Sequence, residues 1–195
     1  PLLAHYAQIH PEVQVDLEEQ VSELVVASLR DGRSDLGAYV GGPDDEGLQT
    51  RHFRKDQLVL ILPAGHRLKG RKPIAFVDTL DEPWISLNAG AALLMTQQQA
   101  ALAAGRPFKL RMQVRSFDAV GHMVASGLGI AALPKAAAMP IIQAMGLAWR
   151  PLSDAWSHRQ LKIAVRAAAT AVVRALHDYL CDPSQNANAS LAKFK

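Results

Sequence analysis

The sequence has little of several features that mark specialised proteins. Among its 195 residues there is one cysteine, Cys181, and only 6% of the residues are aromatic. A single cysteine excludes an internal disulfide and any CxxC redox or zinc site. Uninterrupted apolar runs such as residues 58–62 are far shorter than the roughly 20 residues that a membrane-spanning helix needs. The formal net charge of +3 is mild and, spread over this length, does not predict nucleic-acid binding.

The sequence also lacks the motifs of common enzymes and metal sites. It contains no HExxH and no GxSxG motif, and no two of its seven histidines stand four residues apart. Residues 127–132, GLGIAA, match the letters of a dinucleotide fingerprint. A helical pattern precedes them and a strand-like run follows, which is the reverse of the order that the fingerprint requires. We therefore interpret Gly127 and Gly129 as a helix end and a tight turn, and predict no catalytic residue, no cofactor and no metal.

What the sequence does have is an alternation of helix-like and strand-like patterns in an ordinary globular composition, 49% hydrophobic and 20% charged. The apolar period switches repeatedly between 2 and 3.6. This predicts an α/β fold with parallel sheets covered on both faces. Predicted strands include residues 13–17, 49–53 and 58–62, the last of which is apolar on both faces and therefore central. Predicted helices include residues 116–126 and 135–145.

A basic stretch follows Pro63. Its ionisable residues are His66, Arg67, Lys69, Arg71 and Lys72. Such a cluster can contact phosphate, but no aromatic residues are interleaved with it, and it contains glycine and proline. We interpret it as a solvated loop and as the passage to a second lobe of the chain.

Three segments have the features of ligand-facing elements. Ser22 stands at the N-terminus of a predicted helix, where its hydroxyl either caps free backbone N–H groups or meets an anion. Two further loops link a predicted strand to a predicted helix and leave N–H groups exposed; they contain Asn88, Ala89, Gly90, Ala91, Ala92, Ser116, Phe117 and Asp118. Because open α/β sheets bind ligands at the carboxyl ends of their strands, we expect these segments to face one cleft.

Several stretches resemble the effector-binding domain of LysR-type transcriptional regulators. They are LLAHYAQIHPEVQVDLEEQVSELVVASLRDGRSDLGAYV from residue 2, LVLILPAGHRL from residue 58, PWISL from residue 83 and VRSFDAVGHMVASGLGIAALP from residue 114. The resemblance covers residues 2–180, and the last stretch is its most specific motif. It implies a two-lobed, type 2 periplasmic-binding-protein-like fold, in which two Rossmann-like subdomains enclose a cleft for a small effector.

The resemblance also implies domain boundaries and further site residues. Residues 1–62 with 163–182 would form the first lobe, residues 63–162 the second, and residues 183–195 a polar tail. The first strand of the first lobe and the family's N-terminal DNA-binding domain, a winged helix-turn-helix, are expected to be absent. Tyr39 and Val40 would join the effector site. Some relatives that bind dicarboxylates carry an arginine at the position of Val40, so its absence disfavours a diacid.

The function implied by the resemblance is effector sensing and oligomerisation in a cytoplasmic bacterial regulator. The expected partners are a small anionic effector and a second copy of the chain, with a tetramer in the full-length protein, DNA contact only through the absent domain, and no membrane. In the dimer, the helix that begins near Ser22 would cover Leu93 and Leu94 of the partner. A solute-binding protein of a transport system is an alternative with the same fold. An enzyme on this scaffold would need catalytic residues that the sequence does not offer.

Overall fold

The computed structural model describes residues 2–18, 20, 22–40, 47–87 and 92–182. The helices are α1 (Leu2–Ile9), α2 (Ser22–Arg30), α3 (Ala92–Ala103), α4 (Phe117–Ala125), α5 (Lys135–Met145) and α6 (Ala171–Cys181), with short 3₁₀ turns at Phe76–Thr79 and Ala155–Ser157. The strands are β1 (Leu36–Val40), β2 (Leu48–Leu62), β3 (Trp84–Leu87), β4 (Leu110–Val114), β5 (Ala131–Pro134), β6 (Ala148–Pro151) and β7 (His158–Arg166).

The chain forms two compact units. Pro1–Arg54 with Gln160–Lys195 make the first unit, and Lys55–Arg159 make the second. These boundaries lie earlier in the chain than the expected ones after residues 62 and 162. The reason is that the apolar end of β2 belongs to the second unit, where Leu58 lies opposite Pro134 of β5 and Leu62 lies opposite Ala148 of β6.

In the first unit, helices cover both faces of the sheet. β1 pairs antiparallel with β7, and β7 lies next to β2. On one face, Leu29 of α2 packs in a cluster with Ala164 of β7. On the other face, Leu2 of α1 and Leu180 of α6 pack with Ile163. Because Ile163 and Ala164 are neighbours on one strand, their side chains point to opposite faces, as the α/β pattern predicts.

In the second unit, the end of β2 is buried on both faces. Leu60 belongs to one hydrophobic cluster and Ile61 to another, and neither residue is exposed to solvent. The first cluster is built around the rings of Phe76 and Trp84, whose centroids are 5.2 Å apart. The prediction that residues 58–62 form a central strand is confirmed.

The prediction of a strand at residues 13–17 is wrong. This segment has no regular secondary structure, and Val15 and Leu17 are 42% and 79% exposed. Its alternating apolar pattern fits a strand, but within the described residues no other strand pairs with it. An extended segment without a neighbour gains neither a hydrogen-bonded ladder nor a buried face, so the pattern alone does not make a strand.

The prediction of parallel sheets holds only in part. β3 and β4 pair in parallel, whereas β2 pairs antiparallel with both β5 and β6. The alternation of strands and helices does produce the crossover β5–α5–β6, but β2 lies between its two strands. The predicted strands at 49–53 and 58–62 are also one continuous strand, β2. Sequence periodicity records the order of elements along the chain and not which strands become neighbours.

The glycines of the GLGIAA motif have structural roles, as interpreted from the sequence. Gly127 follows the end of α4 with φ +72°, a conformation that side chains disfavour. Gly129 lies so close to another segment that an added Cβ would be 2.5 Å from the carbonyl oxygen of Pro83. Both glycines therefore shape the passage from α4 to β5.

Candidate functional site

In the first unit, two of the predicted site residues are joined directly. Ser22 is the first residue of α2, and its hydroxyl oxygen accepts a hydrogen bond from the backbone N–H of Val40, the last residue of β1, at 3.2 Å. Both residues are half-buried. Gly37 makes this approach possible, because an added Cβ there would lie 2.5 Å from Cγ1 of Val25 on α2. The bond positions the Ser22 hydroxyl at the carboxyl end of β1.

Tyr39, the third predicted residue of this unit, lies in the hydrophobic core. Only 4% of it is exposed, and it packs in the cluster that contains Leu29 and Ala164. It supports the packing of α2 on β1 and therefore the position of Ser22. The sequence suggests Tyr39 as a wall of the site, and this stays a prediction beside its place in the core cluster.

In the second unit, the predicted residues 116–118 form the beginning of α4. The Ser116 hydroxyl oxygen accepts a hydrogen bond from the backbone N–H of Ala119 at 3.2 Å, so Ser116 is the N-cap of the helix. Among the described residues, no carbonyl oxygen accepts a hydrogen bond from the N–H groups of Phe117 and Asp118. The Asp118 side chain is exposed and acidic, which makes this turn less attractive to an anion than its free N–H groups suggest.

The structure describes one residue, Ala92, of the remaining predicted loop at residues 88–92. Ala92 is the exposed first residue of α3, and its carbonyl oxygen accepts a hydrogen bond from the Thr96 hydroxyl at 2.9 Å. Asn88, Ala89, Gly90 and Ala91 lie outside the described residues. Ser22 and Val40 belong to one unit, and Ala92 and residues 116–118 belong to the other.

The structure adds one feature that sequence analysis missed. Gln97 on α3 is only 1% exposed, and its side-chain oxygen has no hydrogen-bond partner among the described residues. Buried polar atoms are nearly always satisfied by protein, water or ligand, so this oxygen departs from the usual pairing among the described residues. The run Gln97-Gln98-Gln99 gives no signal that only the first of them faces inward.

The described residues contain neither a metal-binding cluster nor a membrane-spanning helix. No three His, Cys, Asp or Glu side chains in this part of the chain are grouped closely enough to hold a metal ion. No helix in the same part is long and apolar enough to cross a membrane.

Comparison with known proteins identifies the family. The sequence profile described as "LysR substrate binding domain" matches residues 1–182. The HTH-type transcriptional regulator CysL of Bacillus subtilis (strain 168) is 26% identical over 135 residues, which cover 69% of this chain and 45% of CysL. The chain thus spans about half the length of the curated relatives that it matches.

Solved structures show the same fold. The regulatory domain of CcmR from Synechocystis PCC6803, in complex with 2-PG, superposes with a TM-score of 0.80 at 22% identity, covering 92% of this chain and 88% of that one. The BenM effector binding domain with its effector benzoate superposes with a TM-score of 0.76 at 22% identity, covering 100% of this chain and 86% of that one. The predicted α/β fold of the type 2 periplasmic-binding-protein-like class is confirmed. The chain belongs to the LysR substrate binding domain family.

Proposed function

We propose that this chain is the effector-sensing domain of a LysR-type transcriptional regulator. The observation that carries the proposal is the match of the family profile over nearly the whole described chain, residues 1–182. The curated relative CysL is an HTH-type transcriptional regulator. Effector binding here would shift the balance between conformations, and a DNA-binding domain elsewhere in the intact regulator would respond to that shift.

The effector that we propose is a small carboxylate. Benzoate, the effector bound by the BenM domain, is a carboxylate. The available groups here suit such an anion, since the Ser22 hydroxyl can donate its proton while its oxygen accepts from Val40. In the second unit, the N–H groups of Phe117 and Asp118 form a separate set of donors at a positive helix end. Position 40 is a valine and not an arginine, and the first turn of α4 carries the negative charge of Asp118. Both features disfavour a second carboxylate on the ligand, so a monocarboxylate is a better candidate than a diacid.

Calorimetric titration of the 195-residue chain tests this proposal. The panel contains benzoate and small aliphatic monocarboxylates, each paired with its uncharged amide. We expect one carboxylate to bind with a saturable heat and its amide not to bind, because the amide lacks the charge that the helix end favours. Equal binding of acid and amide, or no binding of any acid in the panel, would contradict the proposed ligand class.

We also propose a homodimer in which α2 of one copy packs against α3 of the other. Leu24 on α2 is 54% exposed, and Met95 and Leu102 on α3 are 56% and 80% exposed. The sequence suggested Leu93 and Leu94 for this contact, but Leu94 is buried and Leu93 packs against the core of its own unit. Apolar side chains removed from water at an interface contribute about 25 cal/mol per Å².

Sedimentation velocity at micromolar concentration tests the dimer. We expect the wild-type chain to sediment as a dimer and the Leu102→Asp variant as a monomer, because a carboxylate at that position would be desolvated in the interface. Val172→Asp, at an exposed apolar position on α6 and therefore outside α2 and α3, is the matched control for added charge. A monomeric wild-type chain would contradict the interface.

A further inference from the structure

The loop that follows β2, residues 63–73, concentrates positive charge. It contains two arginines and two lysines, Arg67, Lys69, Arg71 and Lys72. From position 57 to position 77 the sequence contains no aspartate or glutamate. The mild net charge of the whole chain therefore conceals a locally basic segment.

Arg150 fixes the backbone of this loop. Its guanidinium donates hydrogen bonds to the carbonyl oxygens of Lys72 at 2.8 Å, Leu68 at 3.0 Å and Pro73 at 3.2 Å. Arg150 itself lies on β6, opposite the fully buried Leu60 of β2. A side chain anchored in the sheet thus holds three carbonyl groups of the loop in place.

Both ends of the loop are tied as well. At its beginning, the N–H of His66 donates to the carbonyl oxygen of Pro63 at 3.0 Å. Just after its end, the N–H of Ile74 donates to the carbonyl oxygen of Pro151 at 3.0 Å. His66 and Arg67 also contact the half-buried Glu82, at 3.3 Å and 2.6 Å. The loop is solvated, as its composition suggests, and its backbone is also held in one conformation by these bonds.

Three of its cations have no compensating charge. Glu82 pairs with Arg67, whereas Lys69, Arg71 and Lys72 are exposed. In the part of the chain that the structure describes, no carboxylate forms an ion pair with any of these three residues. Arg150 binds the carbonyl oxygens of the loop, while the side chains of Lys69, Arg71 and Lys72 are exposed to solvent.

We propose that this loop, with Lys69, Arg71 and Lys72, contacts the phosphate backbone of duplex DNA. Because the backbone of the loop is already fixed, binding does not have to order it, and each phosphate contact releases counterions. Because no aromatic residue stands among the three cations, the loop offers no stacking surface for unpaired bases, which favours a duplex and contact that is independent of sequence. The choice of DNA as the polyanion rests on the proposed function, whereas the basic surface does not.

Fluorescence anisotropy with a labelled duplex of mixed sequence, about 20 base pairs long, tests the proposal on the 195-residue chain. Non-specific binding of this kind has Kd values of about 10⁻⁴–10⁻⁶ M at physiological salt and tightens as salt is lowered. We expect Lys69→Gln/Arg71→Gln to weaken binding at low salt by about tenfold or more. The slope of log K against log salt should fall by about 1.8, since each lost phosphate contact removes about 0.9.

The matched control is Lys55→Gln/Arg115→Gln, which removes the same charge from two other exposed positions. We expect it to change affinity less than threefold; an effect as large as that of the loop variant would overturn the proposal. Arg150→Lys keeps the charge but not the planar fork, and we expect it to weaken binding while the fold, checked by circular dichroism, persists. Poly-glutamate that competes as well as the duplex at equal charge would overturn the assignment to DNA. These outcomes do not depend on whether a carboxylate effector binds.

Discussion

The hydroxyl oxygen of Ser22 accepts a hydrogen bond from the backbone N–H of Val40, 18 residues away in the chain, at 3.2 Å. This bond joins the beginning of α2 to the end of β1. The side chain that the sequence assigns to ligand binding therefore also holds the local structure together. Its two roles lead to two separate measurements on one variant.

We expect Ser22→Ala to lower the free energy of unfolding by about 1 kcal/mol, because the half-buried N–H of Val40 loses its acceptor. Urea denaturation measures this change. The same variant should bind an anionic effector more weakly by about 1–3 kcal/mol, since a charged partner loses one hydrogen bond. Calorimetric titration with the carboxylate that binds the wild-type chain measures the second change.

Ser22→Thr is the control. Because it keeps the hydroxyl, it should retain most of the stability and most of the affinity for the effector. If Ser22→Ala shows the loss of stability but binds the carboxylate as tightly as the wild type, Ser22 has a structural role only.

Two neighbouring glycines should respond differently to alanine. At Gly129 the new Cβ would lie 2.5 Å from the carbonyl oxygen of Pro83, which also accepts from the N–H of Ile130 at 2.9 Å. We expect Gly129→Ala to cost about 2–4 kcal/mol of stability through overpacking and a weakened hydrogen bond. At Gly127 there is open space but φ is +72°, so alanine there should cost only about 1–2 kcal/mol. Thermal denaturation shows which variant is less stable. A larger loss of stability in Gly127→Ala than in Gly129→Ala would contradict the close approach at Gly129.

The ion pair between Asp56 and Arg159 should contribute more than a surface pair. The Nε–H of Arg159 donates to Oδ2 of Asp56 at 3.0 Å, a second guanidinium nitrogen reaches the same oxygen, and the two side chains are only 11% and 19% exposed. We expect Arg159→Met to cost about 1–3 kcal/mol, because a poorly solvated carboxylate loses its charged partner. The pair Arg51–Asp178, at 51% and 68% exposure, is the comparison, and Arg51→Met should cost about 0.5 kcal/mol or less. Equal costs in urea denaturation would argue against the difference in burial as the cause.

Cys181 should make the stability fall at alkaline pH. Burial raises the pKa of its thiol, Arg51 lowers it and Asp178 raises it, with a net increase. The folded chain therefore retains this proton at pH values where the unfolded chain, with an ordinary thiol pKa of about 8.5, has begun to lose it. Above that pH the unfolded state binds fewer protons, so the free energy of unfolding decreases as pH rises. We expect Cys181→Ala to have a flatter pH profile between about pH 7.5 and 9.5, and an identical slope would contradict this origin.

Sequence patterns predicted the elements whose signals are local. The helix end at Gly127 depends on one residue's φ, and the central strand at residues 58–62 depends on an apolar run that is buried on both faces. They failed where a partner distant in sequence decides the outcome. Residues 13–17 have the pattern of a strand without a neighbouring strand in the described part of the chain. Leu94 is buried within its own unit, whereas Met95 and Leu102 on the same helix are exposed.

The candidate site shows the same division. Ser116 was recognisable as a helix start, because a cap and its N–H partner lie three residues apart. The acceptor role of Ser22 toward Val40 and the buried, unpartnered oxygen of Gln97 depend on how elements pack, which a single sequence does not display. Arg150 is a further case, since its hydrogen bonds to a loop some 80 positions earlier turn a basic stretch of ordinary composition into a fixed surface.

The most direct test of the account is an amide chemical-shift titration of the 15N-labelled chain with the carboxylate that gives the largest calorimetric heat. If the chain senses a carboxylate as proposed, the N–H resonances of at least one candidate group, Val40 in the first unit or Phe117 and Asp118 in the second, shift and saturate with the acid, while the matching amide compound leaves them unchanged. Shifts confined to other residues, or the absence of any saturable shift with every acid in the panel, would contradict it.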